Sequence, residues 1–330
     1  MVSPIRSAVP FMGVLIGLAF GIILAEINSS PRSEPLKVGI FLPSLDNNTL
    51  VNFEKLVGRQ QDIVLYFEAW QNGDETVEFN AERAGWLLNK GKIPIITWEP
   101  WDWQAADRIN QNEYTLRQIL GGKHDNYIRR YARAVKNFGG TIFIRPMHEM
   151  NGNWYPWAGE ANGNTPEEYA PTFRRIVNIF KKEGALNAHF IWSPYADAGE
   201  GSISSYSLYY PGDDYVDVVG IDGYNSHLKS FGGVWRSFEE LFGSSYLEVR
   251  TFTKKPIIIS EMASGEGEFK SPYDKAEWII DAFRIMDKKY TDIVGFVWFN
   301  ENKEDNWSVE SSDESLSAYN RAMTFISNAK

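Results

Sequence analysis

Gly140-Thr141-Ile142-Phe143-Ile144-Arg145-Pro146-Met147-His148-Glu149 passes within one short segment from an apolar run to an arginine, a histidine and a glutamate. Thr141–Ile144 has the length and unbroken apolar character of a strand buried on both faces, as in a parallel sheet. Arg145 to Glu149 then fall at or just past its C-terminal end, facing a cleft rather than a core. A His-Glu pair alone reads as a loop carboxylate beside a satisfied histidine. Here the chain continues Met150-Asn151-Gly152-Asn153-Trp154-Tyr155-Pro156-Trp157, and amides and aromatics packed around one acid suit a hydroxyl-rich, flat-faced ligand. His-Glu also opens the zinc-protease signature, but that needs a second histidine where this chain has Gly152, so no metal is expected.

Seven further runs of the same kind accompany it: Val38–Leu42, Ile63–Phe67, Ile93–Trp98, His189–Ser193, Val216–Ile221, Pro256–Ser260 and Ile293–Phe299. Between them lie stretches with helical spacing, among them Asn80–Asn89, Asn126–Phe138, Pro166–Lys182 and Asp274–Lys289, the second stopped by Gly139-Gly140. Eight such alternations predict the α/β class and a single (β/α)8 TIM barrel, whose active groups come from the C-terminal ends of the strands. A doubly wound open sheet is the alternative, but the first strand is followed by no Gly-x-Gly-x-x-Gly and the chain has no Walker loop. Taken in order, the strand ends offer Glu99 and Trp101, His148 and Glu149, Trp192, Asp222 and Tyr224, Glu261, then Trp298 and Glu301. Any barrel has polar strand ends. Glu261 stands out because it directly follows Pro256-Ile257-Ile258-Ile259-Ser260, which would fix and partly desolvate its side chain.

A chain of 330 residues with 43% hydrophobic residues can fill one large core. Its net charge of −10 disfavours nucleic acid and anionic lipid as partners, and a neutral polymer fits better. With no cysteine there are neither disulfides nor thiolate chemistry. Ala8–Ala25 is uncharged and follows Arg6, so residues 1–25 read as a signal peptide or a single membrane anchor, residues 26–36 as a linker and residues 37–330 as the barrel. Export is therefore expected, either secreted or anchored to the outer face, with membrane contact only through residues 8–25. A monomer is expected.

Glu149 and Glu261 belong to the fourth and seventh strands, which face one another across a barrel mouth. Two opposed carboxyls are the requirement for glycoside hydrolysis, at about 5–5.5 Å for retention and about 6.5–9.5 Å for inversion of the anomeric centre. The segment Arg145–Trp157 with its His-Glu-Met-Asn-Gly-x-Trp centre, then Asp222-Gly223-Tyr224-Asn225, then Ile258-Ile259-Ser260-Glu261, resembles glycoside hydrolase family 26 across nearly all of residues 37–327. The resemblance implies a retaining double displacement with Glu149 as acid/base and Glu261 as nucleophile, beside Arg145 and His148. It also implies Trp154 as a platform near the scissile bond, Tyr224 as the hydroxyl holding the nucleophile and Trp298 as a pocket wall. Glu99, Trp101, Trp192 and Asp222 complete the expected substrate-binding set, and no cofactor is implied. The family consists mostly of endo-β-1,4-mannanases, with β-1,3-1,4-glucanases and β-1,3-xylanases as smaller groups. Where a mannanase is expected to carry arginine after the strand-eight tryptophan, this chain has Phe299-Asn300-Glu301-Asn302-Lys303, which resembles the glucanase branch. A non-catalytic polysaccharide-binding barrel and a trimmer of the cell's own exopolysaccharide remain as alternative readings. Serine-hydrolase chemistry has no Gly-x-Ser-x-Gly elbow here.

Overall fold

A computed structural model of the chain describes residues 35–196, 205–267 and 274–327. The leader at 1–25 and most of the linker lie outside the described residues. Among those described, no helix is long and apolar enough to cross a membrane.

Eight parallel strands form the wall of the molecule: β1 (Lys37–Phe41), β2 (Ile63–Asn72), β3 (Ile93–Asp102), β4 (Ile142–Pro146), β5 (Ala188–Trp192), β6 (Val218–Asn225), β7 (Ile257–Ser264) and β8 (Ile293–Phe299). The sheet closes because β1 pairs with both neighbours, Gly39 opposite Ile63 on β2 and Lys37 opposite Gly295 on β8. A two-residue strand, Glu75–Thr76, folds back on the end of β2. Each strand is followed by a helix: α1 (Asn47–Leu56), α2 (Ala81–Asn89), α3 (Asp125–Phe138), α4 (Pro166–Glu183), α5 (Tyr206–Tyr209), α6 (Phe238–Phe252), α7 (Lys275–Lys288) and α8 (Asp313–Ser327). Local chemistry sets their ends. Thr165 and Glu168 form a capping box with Pro166 at the first helical position of α4, and Gly184 ends it at φ 79°. Ser237 and Glu240 cap α6 in the same way.

The (β/α)8 barrel is thus observed. β2, β3, β6 and β7 all run past the ends of their apolar runs, to Asn72, Asp102, Asn225 and Ser264. Polar side chains do not stop a parallel ladder when they share a polar cleft, and Asp222 still pairs with Glu261, and Asn225 with Ser264.

Two apolar layers hold the barrel. Ile63, Leu65, Ile95, Ile191, Ile258 and Val297 form a cluster to which no helix contributes, so they fill the barrel interior. Their neighbours of opposite parity, such as Val64, Ile96, Phe190, Ile257 and Phe296, pack with Leu50, Phe53, Ile128, Phe173 and Ile279 of the helices. The same period of two sorts every side chain near the strand ends into cleft-facing and helix-facing.

Candidate active site

Above the apolar filling, inward positions turn polar. Thr97 follows Ile95 on β3, Arg145 follows Phe143 on β4, Asp222 follows Gly220 on β6 and Ser260 follows Ile258 on β7. Gly220 is required there, since a Cβ would lie 2.3 Å from Ser260 Oγ and 2.4 Å from Ser193 Oγ. Those two hydroxyls, 2.7 Å apart, both donate to Asp222, at 2.6 Å from Ser260 and 2.9 Å from Ser193.

Arg145 is fully buried and joins this layer to the acids. Its Nε and Nη2 donate to Thr97 Oγ1 at 3.0 and 2.7 Å, its Nη1 donates to Asp222 at 2.7 Å, and Nη2 also reaches Glu261 Oε1. A guanidinium fork bonded on all three nitrogens cannot swing, so it fixes both carboxylates. Tyr224 donates its hydroxyl to the other oxygen of Glu261. Glu261 is therefore gripped on both oxygens by donors.

Glu149 is held differently. Met147 and Glu149 both adopt φ 52°, the left-handed region that non-glycine residues enter at a cost of order 1–3 kcal/mol. Surrounding bonds enforce it: Tyr169 Oη donates to Met147 O at 2.9 Å, Glu149 N donates to Ser193 O at 2.7 Å, and Trp157 Nε1 donates to His148 O at 2.7 Å. The turn delivers the Glu149 carboxyl to the cleft, where Trp154 Nε1 donates to its Oε2 at 2.7 Å. Burial first, then the charges of Asp222 and Glu261, push the Glu149 carboxyl well above the ordinary range; the Trp154 N–H and Arg145 oppose them. One carboxyl is thus kept protonated beside another that two donors address.

Around this pair, Glu99 is buried and pushed up to about 8 by burial and by Glu261, with Arg145, the Trp101 N–H and Lys303 opposing. Trp101 Nε1 donates to Glu99 Oε2 at 3.1 Å. Asp222 is raised by burial to about 7, against Arg145. His148 is buried and its pKa lies well below the usual range, through desolvation and then Arg145, so it is neutral. Its ring packs 4.8 Å from Tyr155, and Nδ1 has no hydrogen-bond partner among the described residues. The described residues contain no group of three His, Cys, Asp or Glu side chains placed to hold a metal ion.

The structure therefore gathers Glu149, Glu261, Arg145, His148, Trp154, Tyr224, Glu99, Trp101 and Asp222 at one mouth. Two expected binding residues are elsewhere. Trp298 is fully buried on the helix side of β8, against Trp278 of α7 and Tyr319 of α8, and donates to Trp307 O at 2.8 Å. Trp192 likewise faces outward, onto Tyr206 of α5 and Phe252 of α6. Both sit one residue off the cleft-facing parity, next to Ile191 and Val297 of the interior. Thr97, Ser193 and Ser260, which orient the acids through Arg145 and Asp222, were not among the expected site residues; their signal was that same parity. The strained turn at Met147 and Glu149 left no signal in residue type. Behind the rim, the ammonium of Lys275 donates to Asn306 O, Ser308 O and Ser311 Oγ at 2.9, 2.6 and 2.8 Å, tying down the loop between β8 and α8.

Comparison with known proteins shows the family. The chain is 37% identical over 316 residues to Endoglucanase H of Acetivibrio thermocellus, a match covering 94% of this chain and 32% of that protein. It is 25% identical over 196 residues to a mannan endo-1,4-beta-mannosidase of Bacillus subtilis, covering 58% of this chain and 47% of that one. The chain thus spans from a third to a half of these relatives' length. Among solved structures, a modular endo-beta-1,4-mannanase from Cellulomonas fimi superposes with a TM-score of 0.66 at 17% identity, over 88% of this chain and 71% of the other, a likeness of fold. The model of glycosyl hydrolase family 26 matches residues 91–278, more than half of the chain and the span that carries both glutamates. The chain belongs to glycosyl hydrolase family 26.

Proposed function

We propose that this chain is an endo-acting glycoside hydrolase that cleaves β-1,4 linkages in a neutral β-linked polysaccharide with retention of configuration, mixed-linkage β-1,3-1,4-glucan first and β-mannan second. The observation that carries it is the opposition of two glutamates: Glu149, raised by burial, and Glu261, gripped by Arg145 and Tyr224.

In the first step Glu261 attacks the anomeric carbon while Glu149 gives its proton to the glycosidic oxygen; the C–O bond breaks, the aglycone departs, and a glycosyl ester of Glu261 forms. Esterification removes the Glu261 charge, one of the two that raise Glu149. Glu149, now ionised, becomes the base that takes a proton from water as the water oxygen attacks the same carbon and frees Glu261. Trp154 offers its indole beside the scissile bond, and Arg145, anchored to Thr97 and Asp222, keeps Glu261 aligned. A non-catalytic binding barrel would have no use for a protonated acid facing a second, oriented carboxylate.

Glucan is favoured by the similarity to Endoglucanase H along 94% of the chain and by Phe299 standing after Trp298. Mannan is kept by the mannosidase relatives. The apolar stretch Ala8–Ala25 supports action outside the cell, on foreign fibre or on the cell's own exopolysaccharide, and the enzyme is proposed to act as a monomer. The test is a product profile of the barrel, residue 36 onward, on barley β-glucan, glucomannan, galactomannan and β-1,3-xylan. Internal cleavage of β-glucan with retained configuration is expected; cleavage of none of them overturns the reading.

A further inference from the structure

Two exposed tryptophans stand beside the acids, Trp103 at 48%, against Trp101, and Trp154 at 38%, bonded to Glu149. They flank Glu149 on opposite sides. Trp154 follows β4 and packs edge-on against Tyr195, beyond β5, at 5.2 Å. Trp103 follows β3 on the side of β2, where its backbone N–H donates to Gln71 O at 2.9 Å.

Trp103 is continuous with the acid cluster. β3 takes in one extra residue between Glu99 and Asp102 relative to β2, a bulge that re-aims the side chains there. Trp101, 5% exposed, bonds Glu99 and meets Trp103 edge-on at 5.3 Å and 68°. Glu99, Trp101 and Trp103 thus form a track from the catalytic pair outward to solvent.

The outer end of that track is held rigid. The Arg108 guanidinium lies 4.1 Å from the Trp103 ring centroid and 5.6 Å from that of Trp101. Asp107 accepts from Ile109 N and Asn110 N at 2.9 and 2.8 Å, and Gln111 clamps Asp102 by accepting from its N at 2.8 Å and donating to its O at 3.1 Å. Asn162, from the loop after β4, donates to Gln111 O at 2.8 Å. A large ring left half exposed yet fixed on one face by a cation serves a ligand that stacks on the other face, because preorganisation removes the cost of ordering it.

We propose that Trp103, with Arg108 behind it, forms a distal sugar subsite on the side of the cleft opposite Trp154, stacking a pyranose ring of the same β-linked chain several units from the cleaved bond. The proposal rests on the reading of the cleft as a polysaccharide site. The subsite rewards length: it adds binding only for chains that reach it.

The test is Trp103→Ala in the full chain, assayed on a ladder of β-linked gluco-oligosaccharides from disaccharide to heptasaccharide and on β-glucan, with Trp103→Phe beside it. The expected result is an unchanged kcat/KM on the shortest oligosaccharide cleaved and a loss of about tenfold on the longest and on the polymer, carried by KM, as for uniform binding. Trp103→Phe recovers most of it, and the melting temperature moves little because half of the ring is already exposed and the core does not include it. Equal activity of Trp103→Ala and the parent at every length, or an equal loss at every length, overturns the subsite while leaving the hydrolase reading intact. A parent chain that cleaves no member of the ladder and no β-glycan overturns both.

Discussion

Glu68 gives the most quantitative check on the electrostatics of this barrel, because it is buried, titrates far from its usual range and takes no part in the chemistry. It lies on the helix side of β2, 5% exposed, and accepts a hydrogen bond from Tyr131 of α3 at 2.5 Å. Burial raises its pKa from 4.5 to about 7, with Tyr131, Arg83 and a backbone bond from Asn80 opposing. A carboxyl whose folded pKa exceeds its unfolded one holds more protons folded than unfolded between the two values, so the stability it allows falls as pH rises through that window. The difference of roughly 2.5 pKa units at about 1.36 kcal/mol each gives about 3 kcal/mol lost between pH 4.5 and about 7, and nothing further above it. Glu68→Gln keeps the shape and the acceptor for Tyr131 but cannot ionise. Denaturant unfolding of parent and variant from pH 4.5 to 8 should show the variant gaining about 3 kcal/mol on the parent across that window. Glu99 and Asp222 titrate nearby in pH, but neither is bonded to Glu68, so their contributions cancel in the difference. A difference that stays flat within about 0.5 kcal/mol would refute the assignment of a neutral, buried Glu68.

Three substitutions at the cleft test the proposed chemistry. Trp154→Phe keeps the ring but removes the N–H that stabilises ionised Glu149, so the alkaline limb of kcat/KM against pH should move upward; a limb that stays in place or falls would show that another group sets it. Glu149→Ala and Glu261→Ala should each cut hydrolysis by more than about a thousandfold while polysaccharide binding in affinity electrophoresis persists. Azide should restore turnover of an activated aryl glycoside to Glu261→Ala through a product of inverted configuration, and the absence of that product would count against Glu261 as nucleophile.

How far the site was legible before folding depended on which physical rule each residue obeyed. The eight strands were readable because burial on both faces forces continuous apolar runs, and the acids were readable because they close those runs at Glu149 and Glu261. The apolar runs stop short of the strand ends because Asp222, Asn225, Glu261 and Ser264 bring polar groups to β6 and β7 that still pair in the ladder: composition turns where the cleft begins, whereas hydrogen bonding does not. Trp192 and Trp298 face the helices rather than the cleft, and composition does not distinguish the two, because an aromatic at a strand end serves a sugar and a helix layer equally well. Alternation alone separates them, and one step of register sends Trp298 to Tyr319 while Val297 stays in the barrel.

The opposed roles proposed for the two glutamates come from a different level of organisation. Both are buried to nearly the same degree, 5% exposed for Glu149 and 3% for Glu261, so depth cannot distinguish acid from nucleophile. Donors do. Glu261 sits within an extended strand, where β4 and β6 bring Arg145 and Tyr224 to its two oxygens. Glu149 sits in a left-handed turn that carries it past the direct reach of Arg145 and leaves it the Trp154 N–H. The left-handed turn at φ 52° holds this acid away from the guanidinium that bonds its partner, and a backbone torsion held from Ser193 and Tyr169 is a tertiary fact that the run from Arg145 to Trp157 does not encode by itself.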